Sequence, residues 1–236
     1  MARVKKPASR STSRPASRRR IDGGSALAVG SEPARLALMG GARNLAGANL
    51  AGADLAGVTL RGRNLRGADL ADADLSGASL VACDLRGARL RGVRLEDARL
   101  LLCDLRGAEL DGAQLEEAAW TLCTLGDAQL RRADLADGEF VAVSLARADA
   151  ARADLTGASF VLCSLAGAHL GGARAEGARF ALSALPGADF ARCKLARARF
   201  VLSALRGAAF DQATGLTRES FRMAWCPDAD AVVAPR

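Results

Sequence analysis

Tyrosine is absent from this 236-residue chain, histidine occurs once, at His169, and aromatics make up only 4% of the residues. A core with so few rings must be filled by aliphatics. Here alanine and leucine dominate, which points to a narrow, regular interior rather than an irregular packed globule. No stretch approaches the ~18 consecutive apolar residues that a membrane helix requires. The six cysteines form no Cys-x-x-Cys pair and no cluster with the histidine, so the spacing of a zinc site is missing. No Ser-His-Asp constellation and no phosphate-cradling glycine loop is visible either. These absences argue against an enzyme, and the sequence asks for no metal and no cofactor.

Acidic residues are missing from the first twenty positions, where Arg3, Lys5, Lys6, Arg10, Arg14, Arg18, Arg19 and Arg20 supply eight positive charges. The formal net charge of the whole chain is +7, so 7 − 8 leaves −1 for everything after residue 20. The high isoelectric point therefore belongs to the tail, and the body is near neutral. Residues 1–24 are read as a disordered basic tail. It offers nucleic acid or an anionic membrane surface as a tail-borne partner, although no aromatic stacking residues accompany the basic cluster. Beyond the tail, Asp22, Glu32, Pro33 and Arg35 interrupt the apolar segment that a signal peptide needs. A cytoplasmic protein without a membrane span is expected.

What the chain has in abundance is a repeat. Of the 34 positions reached by taking every fifth residue from Leu45 to Phe210, all but Trp120, Ala150 and Ala175 are Leu or Phe. The residue two before each is small, with Arg43 and Arg63 the large exceptions. Glycine is frequent two residues after, as at Gly47, Gly52 and Gly57. A period of five fits neither an α-helix nor a long strand. Two apolar positions separated by one residue point the same way in extended chain, and the remaining residues turn it. Each repeat is thus one short side and one corner. Stacked coils pair their backbones in parallel, and no coil can bury its leucine alone.

Ala48-Asn49-Leu50, Ala53-Asp54-Leu55, Ala68-Asp69-Leu70, Ala73-Asp74-Leu75 and Ala153-Asp154-Leu155 resemble the pentapeptide repeat family, whose pattern is A(D/N)LXX. The resemblance covers about residues 41–212. It implies an all-β fold, a right-handed quadrilateral parallel β-helix with four repeats per coil. That makes about eight coils and a rod ~40 Å long at the spacing of paired strands. It also implies a function. The best-characterised members protect DNA gyrase from quinolones by imitating duplex DNA with an acidic rod, as dimers joined through their C-terminal ends.

A second period of 20 residues, one coil, runs through the sequence. Cys83, Cys103, Cys123 and Cys163 share a register with Val143, Ser183 and Ser203, and are read as small inward residues filling a tight corner. Trp120, Phe140, Phe160, Phe180 and Phe200 form a ladder read as core stacking, with a bulge expected at Trp120. The first coils are expected to be distorted by Arg43 and Arg63.

The same period assigns outward residues to faces. One stripe reads Val81, Leu101, Leu102, Leu122, Val141, Val161, Leu162, Leu182, Val201 and Leu202, where polar residues or glycine are usual. An apolar stripe of this length marks a covered or contacted surface, whether by a partner, by a second copy or by residues 25–40 of the same chain. Another face gathers Glu96, Asp97, Glu116, Glu117, Asp134, Asp137, Asp154 and Glu176, interrupted by Arg94, Arg174, Lys194 and Arg197. Residues 25–40 are read as a capping segment for the first coil. After Phe210, Thr217 is placed to N-cap a helix running to about Trp225, within a cap and frayed end over 213–236.

Two functions follow. The first is a non-enzymatic scaffold that binds a protein partner or itself along the apolar stripe. The alternative, carried by the resemblance, is DNA mimicry toward gyrase. The near-neutral body and the basic tail both depart from a polyanionic mimic.

Overall fold

The computed structural model describes residues 41–225. The basic tail, the 25–40 segment and the frayed end lie outside them. Within them the chain is a four-sided parallel β-solenoid. Its named strands are β1 (Thr59–Arg61), β2 (Ser79–Val81), β3 (Arg99–Leu101), β4 (Ala119–Thr121), β5 (Glu139–Val141), β6 (Ser159–Val161), β7 (Arg179–Ala181) and β8 (Arg199–Val201). They form one sheet in sequence order, each pairing in parallel with the strand 20 residues on, as Leu60 with Leu80 and Phe140 with Phe160. This is the strand face. The chain then turns onto a second face (Leu65 to Leu205), a third (Leu70 to Phe210) and a fourth (Leu75 to Leu195). These three are stitched by isolated parallel bridges such as Asp84↔Asp104, Arg89↔Glu109 and Asp134↔Asp154.

The core is the repeat read off as packing. Nearly every fifth residue and nearly every small residue two before it is buried. The aromatic ladder stacks as expected, with ring centroids 4.7–4.9 Å apart from Phe140 through Phe200. A second column, Phe190 over Phe210, meets it edge-on. No bulge forms at Trp120, which sits in β4 in unbroken register between Leu100 and Phe140. Room for the large rings comes from the small column. Gly138 is its sole glycine, and a Cβ there would lie 3.0 Å from the Phe140 ring.

The first coils are also regular. The amides of Asn64 and Asp84 donate to the carbonyls of Arg43 and Arg63 at 2.8 and 2.9 Å, as in every later coil. Arg43 is exposed and Arg63 only half-buried. The ladder is made by main-chain groups, so a large side chain at this position does not break it.

At the far end Thr217 does precede a helix, but a short 3₁₀ turn, Arg218–Phe221, rather than one reaching Trp225. Phe221 stacks on Phe200 as the last rung of the ladder, centroids 5.5 Å apart. Trp225 pairs in parallel with Ala204, its amide donating to Ser203 and its carbonyl accepting from Leu205. That ladder competes with helix continuation and wins, since it satisfies an otherwise open edge.

Candidate protein-interaction surface

The corners build the surface. At three of the four, the residue three past the inward Leu donates its amide back to that Leu carbonyl, as Ala48 to Leu45 at 3.0 Å. Among the described residues this bond is missing at the corner after each strand. There the column of Cys83, Cys103, Cys123, Cys163, Ser183 and Ser203 replaces it. The thiol of Cys103 donates to the Leu80 carbonyl one coil back at 3.4 Å. The Ser183 hydroxyl lies 2.9 Å from the Ala181 carbonyl and accepts the Cys163 amide at 3.1 Å. The series is therefore more than filler: it supplies hydrogen bonds to a corner that cannot close its own turn. Val143 is the one member without a group to offer, and Ser183 and Ser203, polar but in register, were the visible clue. All five described cysteines are free thiols. Burial raises the Cys163 thiol and pushes that of Cys193 up to about 11, so both stay protonated and unreactive at neutral pH.

At every corner the second residue after the inward Leu has positive φ. Glycine holds this place at many corners, since it alone adopts the left-handed region at no steric cost. At the corner after the strands the occupants are Gly62, Ala82, Leu102, Leu122, Ala142, Leu162, Leu182 and Leu202, and the five leucines have φ between 51° and 57°. They project into solvent, Leu102 at 54% and Leu162 at 58% exposure, with Leu101 and Val141 exposed beside them and Val81, Val161 and Val201 half-buried. All ten residues of the apolar stripe thus stand on one corner, as a continuous ridge.

The second face, reached on rounding this ridge, differs along its length. Toward the N-terminus it carries ion pairs. Arg86 meets Asp84 at 2.5 Å and Arg106 meets Asp104 at 2.6 Å. Hydrogen bonding from Arg106 and Thr124 holds the Asp104 carboxyl at about 2. Toward the C-terminus the same face becomes a flat panel of Ser144, Ala146, Ser164, Ala166, Ala184, Pro186 and Ala204. This panel was not anticipated. It emerges only when the 20-residue period is applied to small outward residues as well as to large ones.

The eight acidic residues all lie on the fourth face or on its corner with the strand face. Asp97, Glu116, Glu117 and Asp137 are exposed, and Glu96, Asp134, Asp154 and Glu176 half-buried. Two of the eight, Glu96 and Asp154, have an arginine partner. Arg94 reaches Asp74 at 3.1 Å and Glu96 at 3.5 Å, and Arg174 reaches Asp154 at 3.1 Å. His169 is exposed on the third face with Nδ1 2.8 Å from Asp189. Among the described residues no group of His, Cys, Asp and Glu could hold a metal, and no helix is long and apolar enough to cross a membrane.

A family model described as pentapeptide repeats matches eight copies, over residues 44–81, 83–118, 123–161 and 163–200. The chain belongs to the pentapeptide repeat family. Among solved structures it is similar to HetL, a pentapeptide repeat protein involved in heterocyst differentiation regulation from the cyanobacterium Nostoc sp. strain PCC 7120. That match has 26% identity over 82% of this chain and 93% of that one, with a TM-score of 0.38. It is also similar to a trypsin-treated variant of QnrB1, a plasmid-mediated fluoroquinolone resistance protein, at 20% identity over 72% and 88% of the two chains and a TM-score of 0.47. A pentapeptide repeat protein of the Arabidopsis thaliana thylakoid lumen matches at 30% identity over 36% of this chain and 60% of that one, with a TM-score of 0.36. No curated protein matches the chain. Pentapeptide repeat proteins are in general structural or interaction proteins, and the ridge is where this one departs most from the plain repeat.

Proposed function

We propose that this pentapeptide repeat protein is a non-enzymatic, cytoplasmic scaffold that docks a protein surface along the apolar ridge at the corner after the strands. One observation carries the reading: five leucines are exposed at positions where the backbone is left-handed. Each costs the fold about 1 kcal/mol of backbone strain relative to an unstrained site, and each leaves a large apolar group in water. Glycine, which the chain uses at many of its other corners, avoids both. Leucine held there against the interest of folding is accounted for by contact with something else. Replacing Leu122 and Leu162 by glycine tests this. The docking reading expects the melting temperature unchanged or slightly raised. A loss of more than about 1 kcal/mol would mean that the ridge is packed by the chain itself, and the reading would fall.

The eight acidic residues on one side favour a second reading, in which the protein engages DNA gyrase as a mimic of duplex DNA. The ion pairs of Arg94 and Arg174 on that side weaken it. A supercoiling assay with and without a quinolone separates the two readings. Protection that is lost in Glu116→Lys/Glu117→Lys while folding survives would establish mimicry. No effect at micromolar protein would leave the ridge.

A further inference from the structure

We infer that the occupant of the ridge is a second copy of this chain, packed antiparallel so that ridge lies on ridge and panel on panel. The inference rests on the docking reading above and names its partner. A two-fold axis lying across the ridge between Ala142 and Leu162 reverses the coil order, setting Leu102 against Leu202, Leu122 against Leu182 and Ala142 against Leu162.

The pairing is complementary in size. The ridge has one notch inside its run of leucines, at Ala142, and reversal places the Leu162 side chain of the other copy in it, twice by symmetry. Beside the ridge, Val141 meets Val161 and Thr121 meets Ala181. Across the panel, Ser144 meets Ser164, Ala146 meets Ala166, and Thr124 meets Ala184. The larger Asp127 and Arg147, already joined to each other at 2.6 Å, face Gly187 and Gly167. A parallel two-fold through the ridge would set notch on notch, Ala142 against Ala142.

Between Thr121 and Ala204 the ridge and the panel carry one pair of charges, Asp127 with Arg147, on the far corner of the second face. At each end the same register sets Arg206 of one copy opposite Arg106 of the other, a like-charge contact offset only by the Asp104 carboxylate already paired with Arg106 at 2.6 Å. An isologous contact of this kind closes on itself and leaves no open edge for fibre growth.

The patch spans five coil steps, ~24 Å, plus the width of its end residues. With the ridge and one face across, it buries on the order of 1,000 Å² over both copies, the weak end of specific interfaces, so a dimer of micromolar or weaker affinity is expected.

The test uses the full chain with Cys226→Ser, since the five other cysteines are buried. Sedimentation should show a monomer–dimer equilibrium that Leu162→Asp abolishes at unchanged melting temperature. Leu102→Cys with Leu202→Cys in one chain should give a covalent dimer on mild oxidation, while either single variant should not, because like positions lie ~24 Å apart in the antiparallel pair. Cross-linking of Leu102→Cys alone would overturn the antiparallel arrangement. A wild-type monomer at several hundred micromolar would overturn the dimer. If Leu162→Gly were still neutral for stability, the ridge would then remain a docking surface for a different protein. If Leu162→Gly were destabilising, both readings would be lost.

Discussion

Replacing Ala150 by leucine should stabilise the solenoid, although it adds three carbons to a core without knowing what the core can hold. Ala150 occupies an inward position of the third face where the coils above and below place Leu130 and Leu170. A cavity of about 20 Å³ remains there, lined by Leu130, Leu135, Leu145, Leu155 and Phe160 among others. Burying three more carbons is worth ~2.4 kcal/mol at ~0.8 kcal/mol each. Filling the void adds about 0.5 kcal/mol at ~24 cal/mol per Å³. The cavity is smaller than the added side chain, so neighbours must shift, and overpacking of this kind costs about 1–3 kcal/mol. The net expectation is a gain near 1 kcal/mol, or roughly 2–4 °C in melting temperature for a chain of this size. Urea or thermal unfolding followed by circular dichroism measures it. Leu130→Ala, which enlarges the same void, should lose about 2–5 kcal/mol. If Ala150→Leu instead lowers stability by 1 kcal/mol or more, the coils have closed around the alanine. The five-residue rule would then describe an average of the repeat and not a local demand of packing.

Other outcomes follow from the corners and the cap. Cys103→Ala should cost about 1–2 kcal/mol by removing the thiol that serves the Leu80 carbonyl, whereas Cys103→Ser should cost far less, because Ser183 and Ser203 already do the same work; chemical denaturation of the pair decides it. Asp104 has its carboxyl held at about 2 against ~3.9 in an unfolded chain, so it contributes stability above pH ~4 that is lost as pH falls toward 2. Asp104→Asn should flatten that acid limb, seen as a smaller difference between melting temperatures at pH 5 and pH 2.5. Gly215 has φ +82°, and a Cβ there would lie 2.6 Å from the Ala196 backbone. Gly215→Ala should detach the cap and raise hydrogen exchange at Phe221 and Trp225 while the central coils stay protected.

The fold was legible because its two periods are long-range facts written locally. A five-residue spacing of Leu and Phe admits one packing, and a 20-residue spacing places Trp120, Phe140 and Phe160 in one column before any coordinate is known. The ridge and the acidic side were legible for the same reason. The hydrogen-bonding role of Cys103 and Ser183 was less so. A small side chain that fills a corner and one that bonds within it look alike until the missing turn hydrogen bond is seen. The bulge at Trp120 and the distortion at Arg63 were inferred from side-chain size alone. Neither side chain disturbs the ladder, because main-chain bonds between coils set the register and they are kept at Trp120 and at Arg63 alike. Thr217 did mark the start of the cap, but the end of its helix depended on Ala204, a residue distant in sequence.

What the sequence alone determined is therefore the periodic part: the four-sided coil, the inward columns and which outward residues share a face, since each follows from residue spacing under steric and burial constraints. Only the tertiary structure decided the aperiodic part. It showed that the corner after the strands lacks its turn bond, that five leucines stand exposed in left-handed backbone there, that Arg94 and Arg174 pair with Glu96 and Asp154 on the acidic side, and that Trp225 returns to the ladder. Each of these depends on distances between atoms in neighbouring coils, and a repeat pattern carries residue identity from coil to coil but not the φ angle, the hydrogen-bond partner or the exposure that packing assigns.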